Sequence, residues 1–134
     1  MHITLRAGER LFLNGAVIKA DRKVSLELMN DATFLLEAHV MQPENATSPL
    51  RQLYFVVQTM LMSPAETTTA KALFDASLAR MLAAYADAAV LAVLRATGDH
   101  VADGRYFDAL KGLRGAFLRD DALMMPAAAL AIAS

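Results

Sequence analysis

Apolar and polar positions follow two different periods along this chain. Over the first forty residues, short runs rich in apolar side chains are separated by turn residues. Gly8 ends a first run, Ile3–Arg6. Asn14-Gly15 joins Leu11–Leu13 to Ala16–Lys19. A two-residue Asn-Gly loop favours positive φ at both central positions, which matches the twist of paired strands. Asp21-Arg22-Lys23 turns the chain into Val24–Met29, and Asn30-Asp31 turns it into Thr33–Leu36. The pattern predicts a compact antiparallel unit of about five strands in residues 1–44.

The period changes near Gln42–Thr47, where Pro43 and Glu44-Asn45 mark a connection. Ser48-Pro49 is a helix start: serine accepts from an orphan amide, and proline at the first helical position lacks the donor that would go unpaired. Leu50, Leu53, Tyr54, Val57, Met60 and Leu61 follow at helical spacing, and Phe55, Val56 and Met62 add apolar surface outside that stripe. Such a helix is expected to be buried on more than one side. Ser63-Pro64-Ala65-Glu66 has the spacing of a capping box. A second helix to about Ala86 carries Leu73, Phe74, Leu78, Met81, Leu82 and Tyr85 as its stripe. Asp87 caps a third with Val90, Leu91, Leu94 and Val101, which Gly98 is placed to break and Gly104 to stop. Arg105–Leu118 forms a fourth, packing Tyr106, Phe107, Leu110, Leu113 and Phe117. The expected fold class is α+β, a small N-terminal antiparallel β module followed by three to four α-helices. Residues 1–44 form the module, 45–118 the helical region packed on it, and 119–134 a flexible or partner-docked tail interrupted by Pro126.

Composition narrows the function. The 134 residues are 56% hydrophobic and 20% charged, enough for a core with apolar surface left over. Without cysteine there is no disulfide frame and no thiolate site, which suits a reducing compartment. The amino terminus does not read as a signal peptide, and no run approaches the roughly 18 apolar residues of a membrane span. A soluble cytoplasmic protein without membrane contact is the expectation. Catalysis is not. His2, His39 and His100 have no second ligand at metal spacing; His39 reads as a surface or interface residue, and His100 as a solvated partner of Asp99 and Asp103. Gly8 and Gly15 sit in strand turns rather than in a phosphate loop, and no serine has nucleophile-elbow context. Asp120-Asp121 reads as a solvated pair near a frayed end, and the eight methionines as gap fillers. No cofactor and no metal are expected.

Net charge is −1, but it is unevenly spread. Residues 1–23 hold Arg6, Arg10, Lys19, Arg22 and Lys23 against Glu9 and Asp21. Residues 24–69 hold Arg51 against Glu27, Asp31, Glu37, Glu44 and Glu66, and the remainder balances.

Four segments, LRAGERLFLNGAVI, LMNDATFLLE, QPENATSPLRQLYFVVQTML and GRYFDALKGLRGAF, occur in that order over roughly residues 3–118. Together they resemble the flagellum biosynthesis repressor FlbT family. The resemblance implies a cytoplasmic regulator that acts after transcription on the untranslated leader of flagellin messenger RNA and promotes its decay. Leu5-Arg6, Gly8-Glu9 and Leu11 are also similar to the start of the carbon storage regulator CsrA, a small RNA-binding dimer of interleaved strands. In that protein, basic and apolar residues of the first and last strands form the RNA surface. This chain departs from it at Ala7, where a second basic residue would stand, and at Glu37-Ala38-His39, which brings no arginine to the last strand.

Arg6, Arg10, Lys19, Arg22 and Lys23 are therefore the candidate RNA contacts, since cations that displace condensed counterions hold a phosphate chain. Phe12 and Phe34 are the module's aromatics, and both sit in strand patterns that favour the core. Leu50, Tyr54, Phe55, Val56 and Met62 are candidate contacts for flagellin, a flagellar regulatory protein or a second copy. Open edges and a thin core suggest a homodimer. The leading expectation is a non-enzymatic repressor that binds the flagellin message leader. The alternative is a protein-binding or chaperone-like module that acts on flagellin or a flagellar regulatory partner without touching RNA.

Overall fold

The computed structural model describes residues 1–30 and 32–124. Within them, β1 (His2–Leu5), β2 (Arg10–Leu13), β3 (Ala16–Lys19), β4 (Val24–Glu27) and β5 (Phe34–Leu36) precede α1 (Pro49–Met62), α2 (Thr67–Ala84), α3 (Ala88–Ala102) and α4 (Tyr106–Met124). The α+β expectation holds, with strands first and helices after. The strands divide into two antiparallel sheets. β1 pairs with β4, and β2 lies between β3 and β5.

Strand alternation makes the three-stranded sheet a middle layer. Leu11 faces Leu36 and Leu13 faces Phe34 across the β2–β5 ladder. These four pack with Ile3, Leu5, Val24 and Leu26 of the β1–β4 pair. Phe12 faces Leu35 on the opposite side, and both belong to the helical core. That core is built on Leu50, Leu53, Tyr54 and Val57 of α1, Phe74 of α2, Val90 and Leu94 of α3, and Leu110 and Leu113 of α4. Leu50 and Tyr54, expected at a partner surface, are thus corrected to the interior. They belong to the helical core, where Tyr54 packs on Phe117 of α4, and both are shut off from water.

Local chemistry explains most boundaries. Asn14 and Gly15 adopt φ of 47° and 83°, the paired positive values that the hairpin requires. Ser48 Oγ accepts from the Arg51 amide at 3.2 Å, with Pro49 at the first helical position. Asp87 Oδ2 accepts from the Val90 amide at 3.0 Å, and Gly104 turns the chain at φ 72°. Two short 3-10 turns, Glu37–His39 and Pro43–Asn45, connect β5 to α1. Buried Gln58 clasps that connection: its Nε2 donates to the Met41 carbonyl at 3.0 Å, and its Oε1 accepts from the Met41 amide at 2.6 Å.

Three expectations are overturned. The capping box does not form: Ser63 closes α1 by donating its amide to the Thr59 carbonyl at 2.8 Å, and Pro64–Glu66 is a 3-10 turn before α2. Gly98 does not break α3. Leu78 of α2 packs over it so closely that a Cβ there would stand 3.0 Å from Leu78 Cδ2. Finally, α4 continues past Leu118 to Met124, so residues 119–124 belong to the helix rather than to a tail. The other tail residues, 125–134, lie outside the described residues.

Leu35→Ala removes a fully buried side chain and is expected to lower unfolding free energy by about 2–5 kcal/mol. Val17→Ala, on a strand that is exposed throughout, is expected to stay within about 0.5 kcal/mol of the parent. Urea titration followed by circular dichroism measures both; equal effects would contradict the layer order.

Candidate nucleic-acid interface

The candidate RNA contacts share one end of the strand module. The chain leaves β1 and enters β2 through residues 6–9, and leaves β3 and enters β4 through residues 20–23. Antiparallel pairing within each sheet puts the basic ends of β2 and β3 together, and those of β1 and β4 together. Backbone bonds then tie the two turns: the Gly8 amide donates to the Ala20 carbonyl at 2.7 Å, and the Ala20 amide donates to the Glu9 carbonyl at 3.0 Å. Gly8 takes φ 84°, which glycine adopts at low cost.

Around this joint the cations form a rim. Arg6 and Lys23 line one shallow cleft with Thr4, Glu9 and Ala38. Arg10 stands directly opposite Lys19 in the β2–β3 ladder, on the face that also carries Phe12. Arg22 occupies the turn that precedes Lys23. All five are exposed. The carboxylates of Glu9 and Glu37 hold backbone here: Glu9 Oε1 accepts from the Arg6 amide at 2.7 Å and Glu37 Oε2 from the Arg10 amide at 2.9 Å. Among the described residues, none of the five side chains forms an ion pair. Like charges directly opposite on adjacent strands repel, so the Arg10–Lys19 pair carries a cost that an incoming anion lifts.

The helical half disposes of its cations differently. Arg51 forms a two-pronged pair with Asp121, and its guanidinium lies 4.7 Å from the centre of the Phe117 ring. Arg119 forks onto Asp87 with two bonds of 2.7 Å. Lys71 pairs with Asp75 at 2.9 Å and Arg105 with Asp108 at 2.8 Å. Arg114 donates to the Tyr54 hydroxyl at 3.1 Å, and that hydroxyl donates to the His39 carbonyl. Burial, and then the Arg114 charge, push the His39 imidazole below its usual pKa.

Aromatic stacking is not offered by the module. Phe34 is buried with its ring 4.9 Å from that of Phe107, and Phe12 packs on the helical core. Base contact at the rim would fall to guanidinium planes and hydrogen bonds.

The expected protein contacts separate. Val56 lines an apolar groove of about 630 Å³ between α1, α2 and the end of α4, and Phe55 joins it in a neighbouring hollow of about 450 Å³. Met62 lies apart, near Phe12 and Val17.

One buried polar group escaped the sequence reading. Asp120 is fully buried, not solvated; its Oδ1 accepts from the Tyr85 hydroxyl at 2.6 Å, while Oδ2 has no partner among the described residues. Burial, followed by the Asp120 carboxylate, pushes the Tyr85 pKa well up. The spacing Leu113, Ala116, Asp120 continues the buried stripe of α4 and is the signal that places it. Asp121, one position on, is exposed and paired with Arg51. His100 makes no ion pair among the described residues, and no group of three or more His, Asp or Glu there could hold a metal ion. No helix among them is long and apolar enough to cross a membrane.

Comparison with known proteins gives a consistent result. The family model described as flagellar protein FlbT matches residues 1–124. Proteins named probable flagellum biosynthesis repressor protein FlbT from Brucella ovis and Brucella abortus are 54% identical over 124 residues, covering 92% of this chain and 82% of each relative. A relative of the same name from Brucella anthropi is 52% identical over the same length. No solved structure matches significantly.

The Asp87–Arg119 pair makes stability depend on pH. The guanidinium, and then the Val90 amide, hold the Asp87 carboxyl down to about 2. A carboxyl depressed on folding stabilises the fold above its unfolded value, about 3.9, and that contribution disappears as pH falls through the folded value. Asp87→Asn keeps a capping side chain but loses the charge. It is expected to be less stable than the parent at neutral pH, with the gap closing as pH falls toward about 2. Urea titrations at stepped pH test this, and a gap independent of pH refutes it.

Proposed function

Because the chain belongs to the FlbT family of flagellar proteins, we propose that it is a repressor of flagellum biosynthesis that holds the leader of flagellin messenger RNA at the cation rim of its strand module. Decay of the message follows from cellular nucleases, and the helices act as the rigid body that carries the rim. The observation that supports this reading most strongly is a contrast in charge use. Four of the eight helical cations, Arg51, Lys71, Arg105 and Arg119, are in ion pairs, whereas none of Arg6, Arg10, Lys19, Arg22 and Lys23, gathered at one end, has an ion-pair partner among the described residues. Arg10 and Lys19 lie on hydrogen-bonded strands, Arg6, Arg22 and Lys23 in the turns at the strand ends, and a phosphate chain that displaces counterions there gains free energy.

A homodimer is part of the proposal. β3 is an outer strand with one open edge, and it exposes Val17 and Ile18. A second copy joining there would extend the sheet and bring two rims into one particle.

The groove lined by Val56, Leu73 and Met81 favours a second reading. In it, the protein regulates by holding flagellin or a flagellar regulatory partner, and RNA is reached only indirectly.

Gel shifts of the purified protein with flagellin leader RNA at stepped salt separate the two. Direct binding predicts a log affinity that falls linearly with log salt. Arg6→Ala or Arg10→Ala should reduce the slope by about 0.7–1 per lost phosphate contact. Arg95→Ala, exposed on α3, should leave it unchanged. Failure to shift the RNA, together with retention of flagellin polypeptide on a column, would overturn the RNA reading in favour of the second.

A further inference from the structure

We propose that helix α2 carries a self-complementary face on which a second copy of this chain packs, antiparallel, about a two-fold axis at Leu73. Leu73 is 52% exposed although it stands between two apolar hollows. One of about 450 Å³ runs from Leu73 back to Glu66, and the groove of about 630 Å³ runs from Leu73 on to Ala84. Val56 of α1 borders both, so the two hollows form one trough along the α1–α2 seam. Eighteen residues of helical rise make it about 27 Å long. Around Leu73 the same side of α2 carries exposed Thr69, Ala76 and Ala84 and half-buried Ser77. Small side chains beside one large one let a second helix approach closely.

Charge identifies the occupant. α2 and the turn before it hold four charged side chains, Glu66, Lys71, Asp75 and Arg80. Lys71 and Asp75 bond each other at 2.9 Å, whereas Glu66 and Arg80 form no ion pair among the described residues. Both of the latter line the trough. Each stands seven residues from Leu73, Glu66 before it and Arg80 after it. Seven residues are close to two helical turns, so all three share one side of α2. In an antiparallel pair with its axis at Leu73, a residue before the axis faces the one equally far after it in the other copy. Glu66 of each copy then faces Arg80 of the other, and Leu73 meets its own counterpart. A parallel second copy would set like charges together, which is unfavourable, and a partner helix of one charge sign would satisfy only one end. A contact of this length falls among small interfaces, below about 1,200 Å² in total, so the dimer is a reversible one. It uses no residue of the strand module and is independent both of RNA at the rim and of the β3 edge. A polypeptide held in the same groove would compete with it.

The chain has no cysteine, so one introduced thiol reports the contact without background. Leu73→Cys puts that thiol on the axis, where it meets its counterpart. Mild oxidation of the full chain at micromolar concentration is expected to give covalent dimer about 10-fold or more faster than Arg95→Cys, whose thiol is exposed on α3. In the Leu73→Cys chain, Glu66→Arg alone or Arg80→Glu alone sets two like-charge pairs in the seam and should slow coupling about 5-fold at low salt. The two changes made together exchange the signs and should restore the rate. Glu66, Leu73 and Arg80 are all exposed, so the fold tolerates these changes. Coupling through Leu73→Cys that is no faster than through Arg95→Cys would overturn the proposal. So would a doubly exchanged chain that couples as slowly as the single variants.

Discussion

The fold depends on a strand of three residues. Side chains alternate along β5, so Phe34 and Leu35 point into different cores although they are neighbours in sequence. Phe34 packs among the β1–β4 residues, and Leu35 is fully buried among the helices. β2 repeats the arrangement with Leu11 and Phe12. A two-stranded pair such as β1–β4 has marginal stability alone in water. Here it has a second layer only because the middle sheet is apolar on both faces. Phe107 of α4 completes the joint by stacking on Phe34, so the helices reach the outer core directly.

Charge is used differently on the two sides of that joint. In the helices, ion pairs hold segments distant in sequence: Arg51 meets Asp121 and Arg119 meets Asp87. Exposed pairs contribute little individually, but these fix the register of α4 against α1 and the start of α3. At the strand end, carboxylates bind backbone amides instead, Glu9 at Arg6 and Glu37 at Arg10. They shape the turns, and the guanidinium groups form no ion pair among the described residues. The same residue types thus serve as internal fastener in one half and as outward-facing charge in the other.

What could be read in the sequence was whatever short-range chemistry decides. Asn14-Gly15, Ser48-Pro49, Asp87 and Gly104 act on amides within a few residues, and each does what its local pattern implies. Ser63 misled because two helix ends compete for it, and the end of α1 takes its backbone. The length of α4 was hidden because Asp120 and Asp121 are held by Tyr85 and Arg51, 35 and 70 positions away. Leu50 and Tyr54 lie on the helical stripe that Val56 falls outside, and it is the stripe that is buried while Val56 lines the groove. The basic bias of residues 1–23 was visible as a count, but its gathering at one end comes from the Gly8–Ala20 and Arg10–Lys19 pairings.

The stack of Phe34 on Phe107 has a genetic consequence. A ring from the last helix props the layer that aims the basic side chains, so damage to the body is transmitted to the rim. On the proposed reading, in which the rim holds the message, alleles that loosen the helical interior should therefore be hard to tell, by swimming phenotype alone, from alleles that strip the arginines. A map of loss-of-function positions would spread across the whole length of the chain rather than cluster in its first quarter.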